Sequence, residues 1–149
     1  MGRPKPSLIQ GQFIAHRLDM LESESWASLS LVARRILDRL EIEHAHHGGR
    51  ENGKLPCTFD DFEAFGIRRK SIAPGIAELV EAGFLEITER GKGGRVGTFR
   101  RPSLYRLTYL PTPKAAPTDN WCSSTSAAGA AIDRGVKGVA RPAGLTRAV

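Results

Sequence analysis

Residues 67–83 read IRRKSIAPGIAELVEAG, and this stretch decides the fold. Its apolar residues recur at the spacing of one buried helical stripe, and they are Ile72, Ile76, Leu79 and Val80. Pro74 is free of a backbone penalty only among the first helical residues, which places the N-cap near Ser71 or predicts a kinked first turn. Gly83 ends the helix, because glycine readily adopts the left-handed conformation that follows helix C-termini.

A second, shorter helix is predicted directly upstream. Thr58, followed three residues later by Asp61, resembles a capping box with Asp in place of Glu, and the helix runs through Phe62 until Gly66 stops it. Residues 54–58 (KLPCT) predict a short edge strand before this helix. Two helices around a tight turn predict a helix-turn-helix.

The N-terminal part is predicted to be helical. It begins with residues at helical spacing, namely Phe13, Arg17, Leu18 and Leu21. Trp26 then continues an apolar face through a short second segment. Ser30 is a good N-cap for a long helix that Gly48 and Gly49 end. Its apolar stripe comprises Leu29, Ala33, Ile36, Leu37 and Leu40, and charged residues such as Glu41 occupy the remaining face.

Two strands follow the residue 67–83 helix. Residues 85–88 alternate as a strand, residues 89–102 form a polar, glycine-rich loop, and residues 104–110 form a second strand with Tyr105, Leu107 and Tyr109 on one face. This order predicts an α+β, mainly helical fold: a winged helix-turn-helix with a two- to three-stranded wing sheet.

The composition changes after Leu110. The chain has 149 residues, about one domain. Residues 111–149 are rich in Pro, Ala, Ser, Thr and Gly, with Trp121 as their one aromatic residue. Such a segment buries too little apolar surface to offset its ordering entropy. We expect a flexible N-terminus at residues 1–9, a domain at 10–110 and a disordered basic tail at 111–149, which is either simply solvated or in loose contact with phosphates.

The charge favours a polyanionic partner. The net charge is +6 and the isoelectric point about 9.8, which suits nucleic acid or an acidic membrane surface. The sequence shows neither a signal peptide nor an apolar run long enough to span a membrane. Its two cysteines, Cys57 and Cys122, fall in the domain and the tail, so a disulfide is not expected. We expect a cytoplasmic, nucleoid-associated protein.

Two basic segments are the candidate site. Three consecutive cations at a helix N-terminus oppose the helix dipole, which makes sense if guanine edges or phosphates lie there. The glycine-rich loop carries five cations against Glu89, its one acid, and suits phosphate contact or entry into a minor groove. With the apolar stripe in the core, the outward helix face comprises Ser71, Pro74, Gly75 and Glu78. The predicted DNA-contacting residues are Arg68, Arg69, Lys70, Ser71, Gly75, Glu78, Arg90, Lys92, Arg95, Arg100 and Arg101.

Other chemistries are disfavoured. The glycine-rich loop is not a Walker loop, because no Ser or Thr follows Lys92 and a strand comes next. His44, His46 and His47 lie at the end of the long helix, where histidine is favoured by the dipole, and Cys57 alone does not complete a zinc set. We therefore expect no metal, no cofactor and no enzymatic activity.

The run from Ile67 to Ile87 resembles the recognition helix and first wing strand of bacterial winged-helix proteins. The shared pattern is a basic start, a Leu, a Gly and an apolar pair, which here are Leu79, Gly83, Phe84 and Leu85. The stretch from Phe13 to His47 is similar to helix-turn-helix proteins of alphaproteobacteria, and the whole resemblance covers residues 10–110. It implies sequence-specific DNA binding; some such relatives repress conjugative transfer, and more distant ones initiate plasmid or phage replication.

We expect a double-stranded DNA-binding transcriptional regulator, more simply a repressor, because a domain this small acts by occluding a promoter. A replication, transfer or mobile-element factor is the first alternative. A protein-interaction winged helix is the second, although it would expose apolar anchors where this sequence has cations. An enzyme that uses the histidines comes last, and a homodimer stays open.

Overall fold

The computed structural model describes residues 8–92 and 101–123. It is an α+β fold with an antiparallel three-stranded sheet, which confirms the predicted class and the predicted order of elements from the long helix onward. The elements are α1 (Leu18–Leu21), α2 (Glu24–Ala27), α3 (Leu31–His46), β1 (Leu55–Cys57), α4 (Phe59–Ala64), α5 (Arg69–Glu81), β2 (Leu85–Glu89) and β3 (Ser103–Leu107).

Helix α3 is the central element of the core. The side chain of Ser30 caps it by accepting a hydrogen bond from the backbone N–H of Ala33 at 3.1 Å, as predicted. The predicted apolar stripe is buried along its whole length, and it comprises Leu29, Ala33, Ile36, Leu37 and Leu40. Helix α3 packs chiefly on α5 and β1.

The capping box of α4 is confirmed. The backbone N–H of Asp61 donates to Thr58 Oγ1 at 3.1 Å, and the backbone N–H of Thr58 donates to Asp61 Oδ2 at 2.7 Å. Two donors that the helix leaves unsatisfied are thereby paired. The cap fixes the start of α4 and directs Phe62 into the core.

The sheet has the order β1-β3-β2. Its inner face contributes large buried side chains, which are Leu55, Leu85, Tyr105 and Leu107. Strand β3 ends at Leu107, earlier than the predicted residue 110, and the side chain of Asn52 pairs with the backbone at this end of the strand. Asn52 Oδ1 accepts from the N–H of Leu107 at 2.8 Å, and Asn52 Nδ2 donates to the carbonyl of Leu107 at 2.9 Å.

Helix α5 differs from the prediction at its start and on its buried face. It begins at Arg69 rather than near Ser71, and Pro74 lies inside it. Val80 is 41% exposed instead of buried. Gly75 is buried in its place, because α3 crosses α5 there: a Cβ on Gly75 would lie 2.5 Å from Cδ1 of Ile36.

The predicted first helix is mostly wrong. Residues 13–17 are not helical, and Phe13 and Leu18 are exposed, whereas Met20 is fully buried. The segment before α1 instead lies against α3, where Gln12 Nε2 donates to the carbonyl of Ala45 at 2.8 Å. Side-chain contacts with α3 replace the helical hydrogen bonds that the apolar spacing predicted.

The prediction of disorder is wrong for residues 111–123. Trp121 is buried and stacks on Phe84, with their ring centroids 6.3 Å apart. The backbone N–H of Asp119 donates to the carbonyl of Thr108 at 3.0 Å. The domain therefore extends past residue 110, and the predictions for residues 1–7, 93–100 and 124–149 lie outside the part that the structure describes.

Candidate nucleic-acid interface

Helices α4 and α5 form a pair joined by a tight turn at residues 65–68. Gly66 has φ +95°, and the N–H of Ile67 donates to the carbonyl of Phe62 at 3.1 Å, so the chain reverses within a few residues. Ile67 is buried beside the turn. The start of α5 is consequently fixed against α4 while its first side chains face solvent.

The three cations at the start of α5 are not equivalent. Arg68 and Lys70 are exposed, and neither side chain makes a hydrogen bond or ion pair within the described residues. Arg69 instead donates from Nη1 to Asp60 at 2.6 Å and to Glu63 at 2.9 Å, both on α4. These two hydrogen bonds raise the pKa of Arg69 and hold it on the protein. Arg68 and Lys70 are the cations available to a ligand.

The outward face of α5 shares Pro74 with the predicted face but differs from it at Gly75 and Glu78. Gly75, predicted to face the DNA, faces α3. Glu78, predicted to face the bases, accepts hydrogen bonds from the N–H and the hydroxyl of Ser30, both at 2.7 Å. Ser71 is half-buried on the same side of α5. Ser71, Gly75 and Glu78 therefore line the joint between α5 and α3. Gly75 and Glu78 do not belong to the candidate nucleic-acid interface.

The exposed face of α5 is predominantly apolar. It begins with Lys70, ends with Glu81 and has Ala73, Pro74 and Ala77 between them. These five residues recur at i, i+3, i+4, i+7 and i+11, so they share one side of the helix. We call this set the α5 outer face.

A shallow groove separates the α5 outer face from the sheet. Ala73, Ala77 and Val80 line one wall, and Ile87 and Arg90 line the other. The aromatic ring of Phe59, which is 37% exposed, borders the groove. The groove therefore has an apolar floor and at least one cation on its rim.

The cations of the β2–β3 loop flank the same end of the molecule. Arg90, Lys92 and Arg101 are exposed, and Lys92 and Arg101 line a second hollow together with Asp60 and Arg69 of the helix pair. The structure thus brings the two basic segments of the sequence to one end of the domain. Arg95 and Arg100 lie outside the described residues.

The histidines at the end of α3 do not form a shared site. His44 is buried, and its Nδ1 has no hydrogen-bond partner. His47 lies 3.0 Å from Glu43, whereas His46 is exposed. Within residues 8–92 and 101–123, no three His, Cys, Asp or Glu side chains are grouped so as to hold a metal ion.

Neither cysteine is paired within the described chain. Cys57 is buried and Cys122 is exposed, and both are free thiols. Burial raises the pKa of Cys57 to about 12. Cys57 is therefore a thiol at neutral pH and a poor nucleophile or metal ligand.

Sequence reasoning missed a buried acid. Glu41 of α3 accepts a hydrogen bond from the hydroxyl of Tyr109 at 2.5 Å, and its Oε1 lies 2.6 Å from His16 Nε2. Glu41 stands four residues after Leu37 and so lies on the apolar stripe, which was the available signal. This network ties the N-terminal segment, α3 and the exit of β3 together, away from the α5 outer face.

No protein-family model, curated protein or solved structure matches this chain. The resemblance to bacterial winged-helix proteins therefore stays a prediction. In the part of the chain that the structure describes, every helix is too short or too polar to cross a membrane.

Proposed function

We propose that this protein binds double-stranded DNA sequence-specifically, as a winged helix-turn-helix, with α5 in the major groove and the β2–β3 loop on the backbone or in the minor groove. A transcriptional regulator, and more simply a repressor that occupies a promoter, is the role we attach to this activity. A replication or transfer factor is the alternative with the same chemistry.

One observation carries the proposal: exposed cations lie at the start of α5 and on the loop beside its exposed face. Arg68 and Lys70 lie at the start of α5, and Arg90, Lys92 and Arg101 lie on the neighbouring loop. A helix fits the major groove, and phosphates of both strands flank that groove. Lys and Arg at the start of such a helix and on the loop beside it suit contacts with phosphates, while the helix itself meets base edges.

The apolar character of the α5 outer face favours a second candidate, a protein-docking surface. Protein interfaces depend on large anchors such as Trp, Tyr and Arg that fill pockets. The α5 outer face offers only Ala73, Pro74 and Ala77, with Phe59 at the far side of the groove. Small side chains provide little anchoring energy to a protein partner but allow the helix to approach DNA closely, so DNA remains the better-supported ligand.

Genomic selection tests the proposal. The full-length protein would be mixed with fragments of its host genome, and the bound fragments would be sequenced. Enrichment of a shared sequence supports specific binding. Sites in promoters indicate a regulator, whereas a repeat array beside an origin indicates replication.

Charge-removal variants then test the geometry. Arg68→Ala, Lys70→Ala and Lys92→Ala should each weaken binding and, where a phosphate contact is lost, lower the slope of log affinity against log salt concentration by about 0.9. A base contact would instead relax preference at one operator position, at a cost of about 1–3 kcal/mol. The matched control is Arg50→Ala, which removes an exposed cation beyond the end of α3. Equal losses in Arg50→Ala and the three test variants would contradict the assigned interface.

A further inference from the structure

We propose that the α5 outer face selects thymine through its 5-methyl group, at two nearby positions of the bound duplex. This inference rests on the proposed function, because it assigns the base chemistry that the same helix reads. It replaces the expectation that polar side chains of α5 read the bases.

The exposed middle of α5 lacks polar side chains that could read bases. Glu78, a polar side chain predicted to read bases, is committed to Ser30 by two hydrogen bonds of 2.7 Å, and Arg69 is committed to Asp60 and Glu63. Between Lys70 and Glu81, the exposed side chains of the outer face are Ala73, Pro74 and Ala77. The middle of the helix therefore presents methyl and methylene groups to a ligand, with no hydrogen-bonding side chain.

The major groove has one apolar feature on its base edges, which is the C5-methyl group of thymine. Alanine side chains in contact with that methyl bury both from water, whereas alanine opposite a cytosine or adenine amino group would leave a donor unsatisfied. A helix whose middle offers only apolar groups thus discriminates in favour of thymine. Thymine is preferred because its methyl group packs against alanine, and because the amino groups of cytosine and adenine would lose a hydrogen-bond acceptor there.

The spacing of the two alanines sets the spacing of the thymines. Ala73 and Ala77 are one helical turn apart, about 6 Å along the axis. Bases on one strand are about 3.4 Å apart, so the two methyl groups would lie within roughly two base steps. Both side chains also line the groove that Arg90 borders, which keeps a cation beside the contacted strand.

Charge distinguishes DNA from an apolar protein segment as the occupant. Lys70 lies at one end of the outer face, and Arg90 lies on the opposite wall of the groove. Glu81 is the single acid of the outer face and lies at its C-terminal end. Cations around small apolar side chains complement a phosphate-lined groove better than they complement an apolar peptide.

Deoxyuridine provides the test, because it removes the methyl group and keeps every hydrogen-bonding edge and the minor groove unchanged. Affinities of the full-length protein would be measured for alternating dA-dT, dA-dU and dG-dC duplexes, and for dG-dC carrying 5-methylcytosine. We expect dA-dU to bind about fourfold more weakly than dA-dT for each contacted methyl group. 5-Methylcytosine should strengthen binding of the dG-dC duplex.

A variant pair assigns the effect to α5. Ala77→Ser places a hydroxyl against the methyl group and should reduce the dA-dT over dA-dU preference, whereas Ala27→Ser, at an exposed alanine of α2, should retain it. Circular dichroism would verify that both variants fold.

The outcomes separate the two proposals. Equal affinity for dA-dT and dA-dU, or a preference for dA-dT that is undiminished in Ala77→Ser, overturns the reading of methyl groups while DNA binding stands. Failure to bind any duplex, including the genomic fragments, overturns both proposals.

Discussion

Gly83 lies where the end of α5 meets the C-terminal segment. Its φ is +83°, and a Cβ at this position would lie 2.6 Å from the backbone carbonyl of Asn120. The neighbouring hydroxyl of Thr108 donates to the carbonyl of Gly83 at 2.6 Å. The residue therefore combines a left-handed conformation with a backbone contact that only hydrogen at the Cα allows.

Gly83→Ala should be more destabilising than Gly48→Ala. Both sites have positive φ, so each alanine costs about 1–2 kcal/mol for its conformation. Gly48 has open space around it, whereas Gly83 meets backbone, which should add about 1–3 kcal/mol. Urea unfolding of both variants measures the difference, and equal losses would show that the C-terminal segment is not seated against Gly83.

His44 should make stability depend on pH. Burial lowers the pKa of His44 below its usual 6.5, with Glu41 acting in the opposite direction. The unfolded chain then binds this proton first as the pH falls. The stability that the neutral, buried His44 contributes is complete above pH 6.5. It is lost progressively as the pH falls from 6.5 towards the lower pKa of the folded state.

The variant His44→Leu should weaken that dependence, since it removes the titrating group and the unpaired Nδ1. The measurement is the free energy of unfolding at about pH 7.5 and about pH 5.5. His46→Leu, at an exposed histidine on the same helix, is the matched control. If His44→Leu loses as much stability on acidification as the parent does, His44 is not responsible.

At the scale of elements, α3 and α5 are joined by a hydrogen-bonded cap as well as by apolar packing. Ser30 caps α3 and at the same time donates two hydrogen bonds to Glu78 of α5. Gly75 lets the two helices approach at the crossing. The close packing at Gly75 sets the angle at which α5 is presented, and therefore which side chains form its outer face, while the hydrogen bonds of Glu78 stabilise the joint.

Glu78→Ala should lower stability without altering sequence preference in DNA. Losing its hydrogen bonds to Ser30 should cost about 1 kcal/mol, the usual net value for such bonds. Glu81→Ala, one turn later and exposed, should leave stability nearly unchanged. Thermal unfolding and selection on the genomic fragments would be measured for both variants, and a new base preference in Glu78→Ala would show that Glu78 faces the DNA after all.

At the scale of the whole molecule, the segment after β3 completes the core. Phe84 lies between aromatic neighbours, with Trp26 and Tyr109 on its edges and Trp121 stacked on its face. Ser25 of α2 donates to the carbonyl of Trp121 at 3.3 Å. The C-terminal segment thus packs against the residue before β2 and against the N-terminal helix α2, whose Ser25 lies 96 residues earlier in the chain than Trp121.

Trp121→Ala should destabilise the full chain by about 3–5 kcal/mol, the range for a large aromatic removed from a core. The adjacent Cys122→Ala is the control, because Cys122 is exposed. Chemical unfolding followed by circular dichroism measures both. A loss in Trp121→Ala no greater than that in Cys122→Ala would restore the original domain boundary at residue 110.

Local signals in the sequence determined most helices and strands. The caps at Ser30 and Thr58 were predicted correctly because each depends on residues three positions apart, and the stripe of α3 because its period belongs to one helix. The alternation in residues 85–88 and 104–110 predicted the two strands, although the second one ends at Leu107, because this period also lies within a single element. The sequence also identified Arg68 and Lys70 as exposed cations.

Tertiary structure decided what depends on distant partners. Val80 and Gly75 exchanged their predicted faces because α3 crosses α5 at Gly75, and periodicity within α5 contains no information about that crossing. Arg69 is hydrogen-bonded to Asp60 of α4, and Glu78 is hydrogen-bonded to Ser30, which lies 48 positions earlier. Trp121 lay in a segment whose composition predicts disorder, but one large aromatic side chain packed on Phe84 contributes more burial than the average composition indicates. Side-chain partners remote in sequence, and not local propensity, therefore fixed the surface that α5 presents.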